Sequence, residues 1–308
     1  MTERELSRRA LLRLAGAGGL AALLAACAGR HQGGAASSPA GSLRALQSGV
    51  QQLSLLGAQS QLGVGAGLFT FGLANSAQQL VTRGSPRVYL AKDETSAALG
   101  PFATRWYELD AYRTSGDRSP RSPLTGFYGA DVRVPSAGNW LVLATIELDG
   151  RPAAGQGAIA VVDHGVAAVG SKAKPERTPV ATSPAARAKV CTRTPPCPLH
   201  AVSLDRALQG GRPTVVSFAT PLLCESRMCG PVVDEQMAAT RRLGDHASFV
   251  HVEIYPGRDP NKPAPAFLAW GFRTEPWVVV VDDRGVIRAR FEGPVTAAQI
   301  EAAARPLL

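Results

Sequence analysis

Apolar and polar residues alternate in short stretches through the middle of the chain, with the two-residue period of β-strands. Residues 87–91 alternate in this way, and residues 139–148 form the strongest predicted strand of the sequence. Asp149-Gly150 follows that strand as a hairpin-type turn. Six or seven such strands, separated by turn residues, predict an all-β domain over about residues 49–165.

The pattern changes after about residue 190, where predicted strands alternate with predicted helices. In chain order we predict a strand, a helix, a strand, a short helix, the two strands of a hairpin and a terminal helix, at residues 213–219, 231–243, 248–255, 264–270, 277–281, 286–291 and 296–307. Thr296 is the candidate N-cap of the last helix. This alternation predicts a second domain of the α/β class over residues 191–308.

The strand-rich region resembles small extracytoplasmic β-sandwich domains. The resemblance rests on the run from Gly126 to Val142, in which Trp140 takes the place of the core aromatic residue. It implies an immunoglobulin-like sandwich over residues 49–165. Two roles remain open for this domain, since it is either a docking surface for a partner protein or a spacer that positions the second domain.

Residues 1–26 resemble a bacterial export signal. A pair of arginines stands ahead of a weakly apolar stretch, as in twin-arginine signals, and the stretch ends at Cys27, as in a lipobox. The resemblance implies that Cys27 carries a lipid, which holds the protein at the extracytoplasmic face of the cell membrane. Residues 27–48 are rich in Gly, Ala, Ser and Gln, and they predict a flexible tether.

Composition narrows the possible partners. The 308 residues carry a formal net charge of +9 and 45% of them are apolar, so a sizeable core is expected and whole-chain disorder is excluded. A second predicted linker, residues 166–190, is basic, but no aromatic residues interleave with its charges. We therefore expect no nucleic-acid partner, and we expect an exported client protein or a redox partner protein instead.

Motifs of the C-terminal region resemble the thioredoxin family, and in particular its extracytoplasmic TlpA-type branch. A predicted buried strand leads to Cys224, and Pro276 precedes a later strand. The resemblance implies a thioredoxin-like fold and thiol-disulfide exchange, in which Cys224 attacks, Cys229 resolves the mixed disulfide and no cofactor takes part. It also implies that Thr274, Glu275 and Pro276 line the substrate groove, with Pro276 in the cis form.

The cysteine spacing departs from the Cys-x-x-Cys motif of that family. Four residues separate Cys224 from Cys229, and positions i and i+5 of a regular helix lie about 140° apart around its axis. The thiols can pair if the helix begins just before Pro231, whereas a helix from Glu225 would need local unwinding. Ser217 also replaces the acidic residue that the family carries in the preceding strand.

A second cysteine pair, Cys191 and Cys197, precedes the first strand of the α/β region. Because exported thiols tend to oxidise, we expect a structural disulfide between them. The alternative is a second redox pair that relays electrons to Cys224 and Cys229. We expect no metal site, because neither cysteine spacing is that of a zinc knuckle and His251 lies on a predicted strand.

These features together predict a membrane-anchored thioredoxin-like protein that exchanges thiols and disulfides with exported client proteins. Two alternatives remain open. One is a non-catalytic interaction module in which Cys224 and Cys229 form a structural disulfide. The other is a peroxiredoxin-like thiol peroxidase, suggested by Thr220 ahead of Cys224, with Arg273 as its peroxide-site arginine.

Overall fold

The structure, a computed structural model, describes residues 41–115, 125–163 and 165–308. These residues belong to one compact unit. The predicted export signal and Cys27, the predicted lipidation site, lie outside the described residues. Within the described part of the chain, no helix combines the length and the apolar character needed to span a bilayer.

The first part of the chain has eight strands and two short helices among its described residues. In chain order they are α1 (Leu43–Leu46), β1 (Gln51–Gly57), β2 (Gln61–Gly63), β3 (Gly65–Ala74), β4 (Arg87–Ala91), β5 (Leu99–Glu108), α2 (Asp110–Arg113), β6 (Gly126–Val134), β7 (Gly138–Leu148) and β8 (Arg151–Val162). The sequence alternation is visible in β6, where Asp131 and Arg133 are exposed and Val132 and Val134 are buried. The prediction of an all-β region is therefore confirmed.

The eight strands form one continuous sheet rather than two facing sheets. Neighbouring strands follow the order β1-β3-β6-β5-β4-β7-β8-β2, and β1 also pairs with β8, so that seven of the strands close a barrel. Strand β1 makes the closure, because its first half runs parallel to β8 and its second half runs antiparallel to β3. The pairings thus do not confirm the immunoglobulin-like sandwich, since periodicity marks the core-facing residues but not which edge strands meet.

Aromatic residues fill the interior of this barrel. The rings of Phe71 and Tyr128 stack with their centroids 5.6 Å apart, and Trp106 meets Tyr128 edge-on at 4.8 Å. Trp140, the predicted core aromatic residue, is buried, and its indole N–H donates to the carbonyl oxygen of Ser136 at 2.9 Å. The indole is therefore packed against apolar neighbours with its only polar atom satisfied.

The second part of the chain contains a four-stranded sheet and its helices. In chain order the elements are α3 (Pro184–Val190), α4 (Leu204–Gln209), β9 (Thr214–Ala219), α5 (Cys229–Leu243), β10 (Ser248–Glu253), α6 (Pro265–Ala269), β11 (Trp277–Val281), β12 (Ile287–Glu292) and α7 (Ala297–Ala304). The sheet order is β10-β9-β11-β12, with β10 parallel to β9 and the other pairs antiparallel. This topology is thioredoxin-like, as the sequence predicts for this region.

Helix α5 is fixed by a buried carboxylate on its inner face. Glu235 is 2% exposed, and its carboxylate accepts the backbone N–H groups of Ala111 at 2.9 Å, Tyr112 at 3.2 Å and Ala297 at 2.9 Å. These N–H groups lie in the first turns of α2 and α7, which have no intrahelical acceptor for them. Glu235 therefore joins α5 to a helix from each part of the chain.

Each edge strand of the four-stranded sheet is paired at one residue with a neighbouring chain segment. Within the predicted linker 166–190, Gly170 donates its N–H to the carbonyl oxygen of Ile287 on β12, and Ile287 donates back to Ser171. At the other edge, His251 on β10 donates its backbone N–H to the carbonyl oxygen of Leu199 at 2.7 Å. The loop that carries Cys191 and Cys197 is thereby held against β10.

Candidate active site and a second cysteine cluster

Cys224 and Cys229 lie where strand β9 gives way to helix α5. The helix begins at Cys229 with Pro231 in its first turn, so both thiols stand at or before the helix N-terminus. Cys229 is fully buried and Cys224 is partly exposed. The backbone N–H of Cys229 donates to the sulfur of Cys224 at 3.2 Å. The two cysteines are therefore close in space despite the four residues between them, as the sequence predicts for a helix that starts this late.

The surroundings of Cys224 favour its thiolate. A hydrogen bond from the Cys229 thiol lowers the pKa of Cys224 below its usual value, and the hydroxyl of Ser226, 3.3 Å from the sulfur, acts in the same direction. Burial raises the pKa of Cys229 well above its usual value. The pair thus consists of one accessible, activated sulfur and one protonated, enclosed sulfur, which are the properties of an attacking and a resolving thiol.

The loop before β11 faces the cysteine loop. The peptide bond between Glu275 and Pro276 is cis, as the resemblance implies. The Glu275 carboxylate accepts the backbone N–H of Glu225 at 3.4 Å, and the Glu275 carbonyl oxygen accepts the hydroxyl of Ser226 at 3.4 Å. Burial raises the pKa of Glu275. The structure therefore brings Glu275 to the cysteine pair, where its negative charge opposes formation of the Cys224 thiolate.

Thr274 has a different orientation from its neighbour. Its hydroxyl donates to the Glu292 carboxylate at 2.6 Å and accepts the indole N–H of Trp277 at 3.2 Å. These contacts fix the start of β11. Among the three predicted groove residues, the hydrogen bonds of the described residues connect Glu275, and not Thr274, to the cysteine loop.

Two polar residues that the sequence analysis singled out, Ser217 and Arg273, have side chains without hydrogen-bond partners among the described residues. Ser217, which replaces the family's acidic residue, is fully buried in β9, and its hydroxyl has no hydrogen-bond partner among the described residues. Arg273, the candidate arginine of a peroxidase, is exposed and makes no hydrogen bond or ion pair within the described ranges. No contact of Arg273 among the described residues therefore favours the peroxidase alternative.

The second cysteine pair lies in a closed polar cluster. Cys191 and Cys197 are buried, and their sulfurs are 3.8 Å apart and not bonded. The Nδ1 atom of His251 is 3.3 Å from the Cys197 sulfur and 3.9 Å from the Cys191 sulfur. His200 is also buried, with its ring centroid 4.8 Å from that of His251. The predicted pairing of the two residues in space is present, and the disulfide bond itself stays a prediction.

The sequence analysis did not place His200 or His251 beside this cysteine pair, and it rejected a metal site there. His200 follows Cys197 by three residues, a local signal that was available. His251 lies in register with Ser217 on the neighbouring strand, and only the sheet places it beside the cysteines. Hydrogen bonding to Cys197 lowers the pKa of Cys191, and burial raises the pKa of Cys197.

Hydrogen bonds and an ion pair tie this cluster to the rest of the fold. Arg193 forms a buried ion pair with Asp234 on α5 at 2.8 Å. The Thr192 backbone N–H and hydroxyl both donate to the Glu253 carboxylate at 2.8 Å, and the Thr192 hydroxyl accepts the backbone N–H of Leu222 at 3.2 Å. The loop of the second pair is therefore connected both to α5 and to the loop that carries Cys224.

Comparison with solved structures finds thioredoxins. Chloroplastic thioredoxin z is 16% identical, with 34% of this chain and 86% of that chain covered and a TM-score of 0.29. The exposed lipoprotein thioredoxin of Streptococcus pneumoniae is 17% identical, with 32% and 87% covered and a TM-score of 0.26. A thiol:disulfide interchange protein of Chlorobium tepidum is 17% identical, with 44% and 99% covered and a TM-score of 0.27.

These scores are below 0.5, so the thioredoxin-like description rests on the sheet order and on the position of the cysteine pair. No protein-family model matches the chain, and a search of curated proteins also finds no match.

Proposed function

We propose that this protein catalyses thiol-disulfide exchange on other proteins, with Cys224 as the attacking residue and Cys229 as the resolving residue. The observation that carries the proposal is the asymmetry of the pair. The Cys224 sulfur is partly exposed and accepts the Cys229 backbone N–H at the start of α5, whereas Cys229 is enclosed. A helix N-terminus stabilises a thiolate through its free N–H groups and its dipole.

The reaction follows from these two sulfurs. The Cys224 thiolate attacks one sulfur of a client disulfide, forms a mixed disulfide and displaces the other client sulfur as a thiolate. Cys229 then loses its proton, attacks the Cys224 sulfur and releases the second client thiolate. Two electrons have passed to the client, and the protein holds a Cys224–Cys229 disulfide. A dithiol partner protein restores the reduced form, and the same steps in reverse oxidise a client dithiol.

The proposal includes an extracytoplasmic location. The arginine pair and the small residues before Cys27 support export and lipidation. Exported proteins are the class in which disulfides form and persist, so clients with disulfides are available there. Glu275, which adjoins the cysteine loop, and its chain neighbour Pro276 are the proposed contacts for the client backbone.

A trapping experiment tests the assignment of the two roles. In the full chain, Cys229→Ser leaves the attacking thiol but removes the resolving one, so mixed disulfides with a model disulfide protein should accumulate. Cys224→Ser, the matched control, should trap none. Equal trapping by both variants, or trapping by neither, contradicts the proposed roles.

The reduction potential separates an exchange pair from a structural disulfide. Known exchange proteins span about −120 to −270 mV, whereas structural disulfides of exported proteins lie below about −300 mV. We expect the Cys224–Cys229 pair in the first range, measured by thiol trapping in glutathione or dithiothreitol buffers. A value in the second range contradicts catalysis and supports the non-catalytic interaction module.

A further inference from the structure

A set of four side chains with metal-ligand chemistry includes neither Cys224 nor Cys229. It consists of Cys191, Cys197, His200 and His251, and we call it the Cys2His2 cluster. One ligand atom from each residue lies within 4.8 Å of the ligand atoms of the other three, and all four residues are buried. Two thiolates and two imidazoles form a common ligand set of four-coordinate zinc.

The distances among Cys191, Cys197 and His251 match a tetrahedral metal site. Zinc–sulfur bonds of about 2.3 Å at tetrahedral angles place two ligand sulfurs about 3.8 Å apart, and with zinc–nitrogen bonds of about 2.0 Å they place sulfur and nitrogen about 3.5 Å apart. The Cys191 and Cys197 sulfurs are 3.8 Å apart, and the His251 Nδ1 atom is 3.3 and 3.9 Å from them. A disulfide would instead require a separation of about 2.05 Å.

The orientation of His251 is also that of a metal ligand. Its Nε2 atom lies 3.1 Å from the carbonyl oxygen of Ala219 on β9, a contact that requires the proton to be on Nε2. The lone pair of Nδ1 then faces the two sulfurs. Metal-bound histidines generally donate their other ring N–H to a carbonyl or carboxylate in this way, which fixes the ring and the tautomer.

His200 provides a second, independent observation. Its side chain is buried, and its Nε2 atom has no hydrogen-bond partner among the described residues. A buried polar atom without a partner is costly for a fold, and coordination of the imidazole to a cation would offset that cost. The ligand atom of His200 lies within 4.8 Å of the other three.

Charge and ligand softness decide which ion the cluster fits. Two thiolates and two neutral imidazoles carry two negative charges, which a divalent cation balances, and a neutral complex is compatible with burial. Thiolate and imidazole ligands favour zinc over the oxygen-seeking ions calcium and magnesium. Four protein ligands leave no open position, which is typical of structural rather than catalytic zinc.

We propose that Cys191, Cys197, His200 and His251 bind one Zn²⁺ ion in a closed tetrahedral site. The ion fastens residues 191–200 to edge strand β10, next to the loop of the proposed catalytic pair. Metal binding displaces the protons of both thiols, and it prevents the Cys191–Cys197 disulfide that the sequence predicts. This site does not depend on the activity of Cys224.

The test uses the full chain, reduced and freed of metal by a chelator, and titrated with Co²⁺ and then with Zn²⁺. We expect one Co²⁺ per chain, the intense visible bands of a tetrahedral cobalt ion and a thiolate-to-cobalt charge-transfer band. Zn²⁺ should displace Co²⁺ and abolish these bands. Zn²⁺ should also protect Cys191 and Cys197 from alkylation, as mapped by mass spectrometry. Absence of the charge-transfer band in the reduced chain overturns the proposal.

Variants assign the site to these residues. His251→Gln should lower the affinity for Zn²⁺ by more than the roughly 10- to 100-fold that loss of a ligand's hydrogen-bond partner costs. His246→Gln, on an exposed histidine, is the matched control and should leave the affinity unchanged. The double variant Cys224→Ser/Cys229→Ser should still bind one ion, and loss of binding there would assign the metal to the catalytic pair. Because the spectra of the unaltered chain need no variant, misfolding of His251→Gln leaves the test intact.

Discussion

The two cysteine pairs of this chain have similar spacing but different surroundings. Cys224 and Cys229 are separated by four residues and stand at the start of a helix, with one sulfur open to solvent. Cys191 and Cys197 are separated by five residues and are enclosed with two histidines. In both pairs a hydrogen bond lowers the pKa of the first cysteine and burial raises that of the second.

The difference between the pairs teaches that pKa alone does not define a reactive thiol. An activated sulfur must also be reachable by a second sulfur outside the protein, and only Cys224 of the two pairs is partly exposed. The sulfurs of Cys191 and Cys197 are buried, so only a small species such as a metal ion can bind them. This contrast is the basis of the two proposals, exchange with other proteins for Cys224 and Cys229 and metal binding for Cys191 and Cys197.

The largest expected effect is a difference in alkylation rate between the two pairs. In the reduced chain, Cys224 should react with iodoacetamide at least about 10⁴-fold faster than Cys191 or Cys197. The buried thiols react only after a local opening, and an opening of about 5.5 kcal/mol lowers the accessible population by that factor. Mass spectrometry of timed samples gives the rates, and comparable rates at the two pairs would refute the comparison.

The next effect concerns the Arg193–Asp234 ion pair, which holds the loop of Cys191 and Cys197 to α5. Arg193→Ala removes the buried ion pair with Asp234 and should lower the free energy of unfolding by about 3–5 kcal/mol. Arg105→Ala removes the exposed pair with Asp131 and serves as the control, with an expected loss below about 1 kcal/mol. Urea denaturation measures both, and equal losses would mean that burial does not distinguish the two ion pairs.

A smaller effect concerns the pH dependence of Cys224. Ser226→Ala removes a hydrogen bond to the thiolate, so the pKa of Cys224 should rise and its alkylation rate at neutral pH should fall severalfold. Glu275→Gln removes a negative charge that disfavours the thiolate, so the pKa should fall and the rate should rise. The alkylation rate as a function of pH checks both signs, and a shift in the same direction for both variants would contradict the assigned contacts.

The smallest effect is on the pH dependence of stability. Burial raises the pKa of Glu275 above its ordinary value of 4.5. The folded chain then binds this proton more tightly than the unfolded chain, so the stability from Glu275 is fully present below pH 4.5 and is lost as the pH rises through the raised pKa. Across this pH window, the unfolding midpoint of Glu275→Gln should fall less steeply with pH than that of the unaltered chain. Identical slopes for the two proteins would indicate that the pKa of Glu275 is ordinary.

The sequence predicted those features that depend on nearby residues. Pro231 correctly limited the start of α5, and the order of strands and helices led to the thioredoxin-like topology. Closure of the barrel through β1 was not predictable, because a strand's alternation does not specify its neighbours. For the same reason, the sequence did not predict that His251 lies beside Cys197, because this proximity depends on strand register.

The pairing at the two edges of the four-stranded sheet bears on the proposed binding of client chains. An open edge strand accepts an extended peptide as an additional strand and is also a starting point for aggregation. Here Ser171 occupies the hydrogen-bonding position beside β12, and Leu199 occupies the one beside β10. Under the proposed exchange activity, a client that added a strand at Ile287 or His251 would first have to displace these segments, which leaves the loop at Pro276 as the proposed contact.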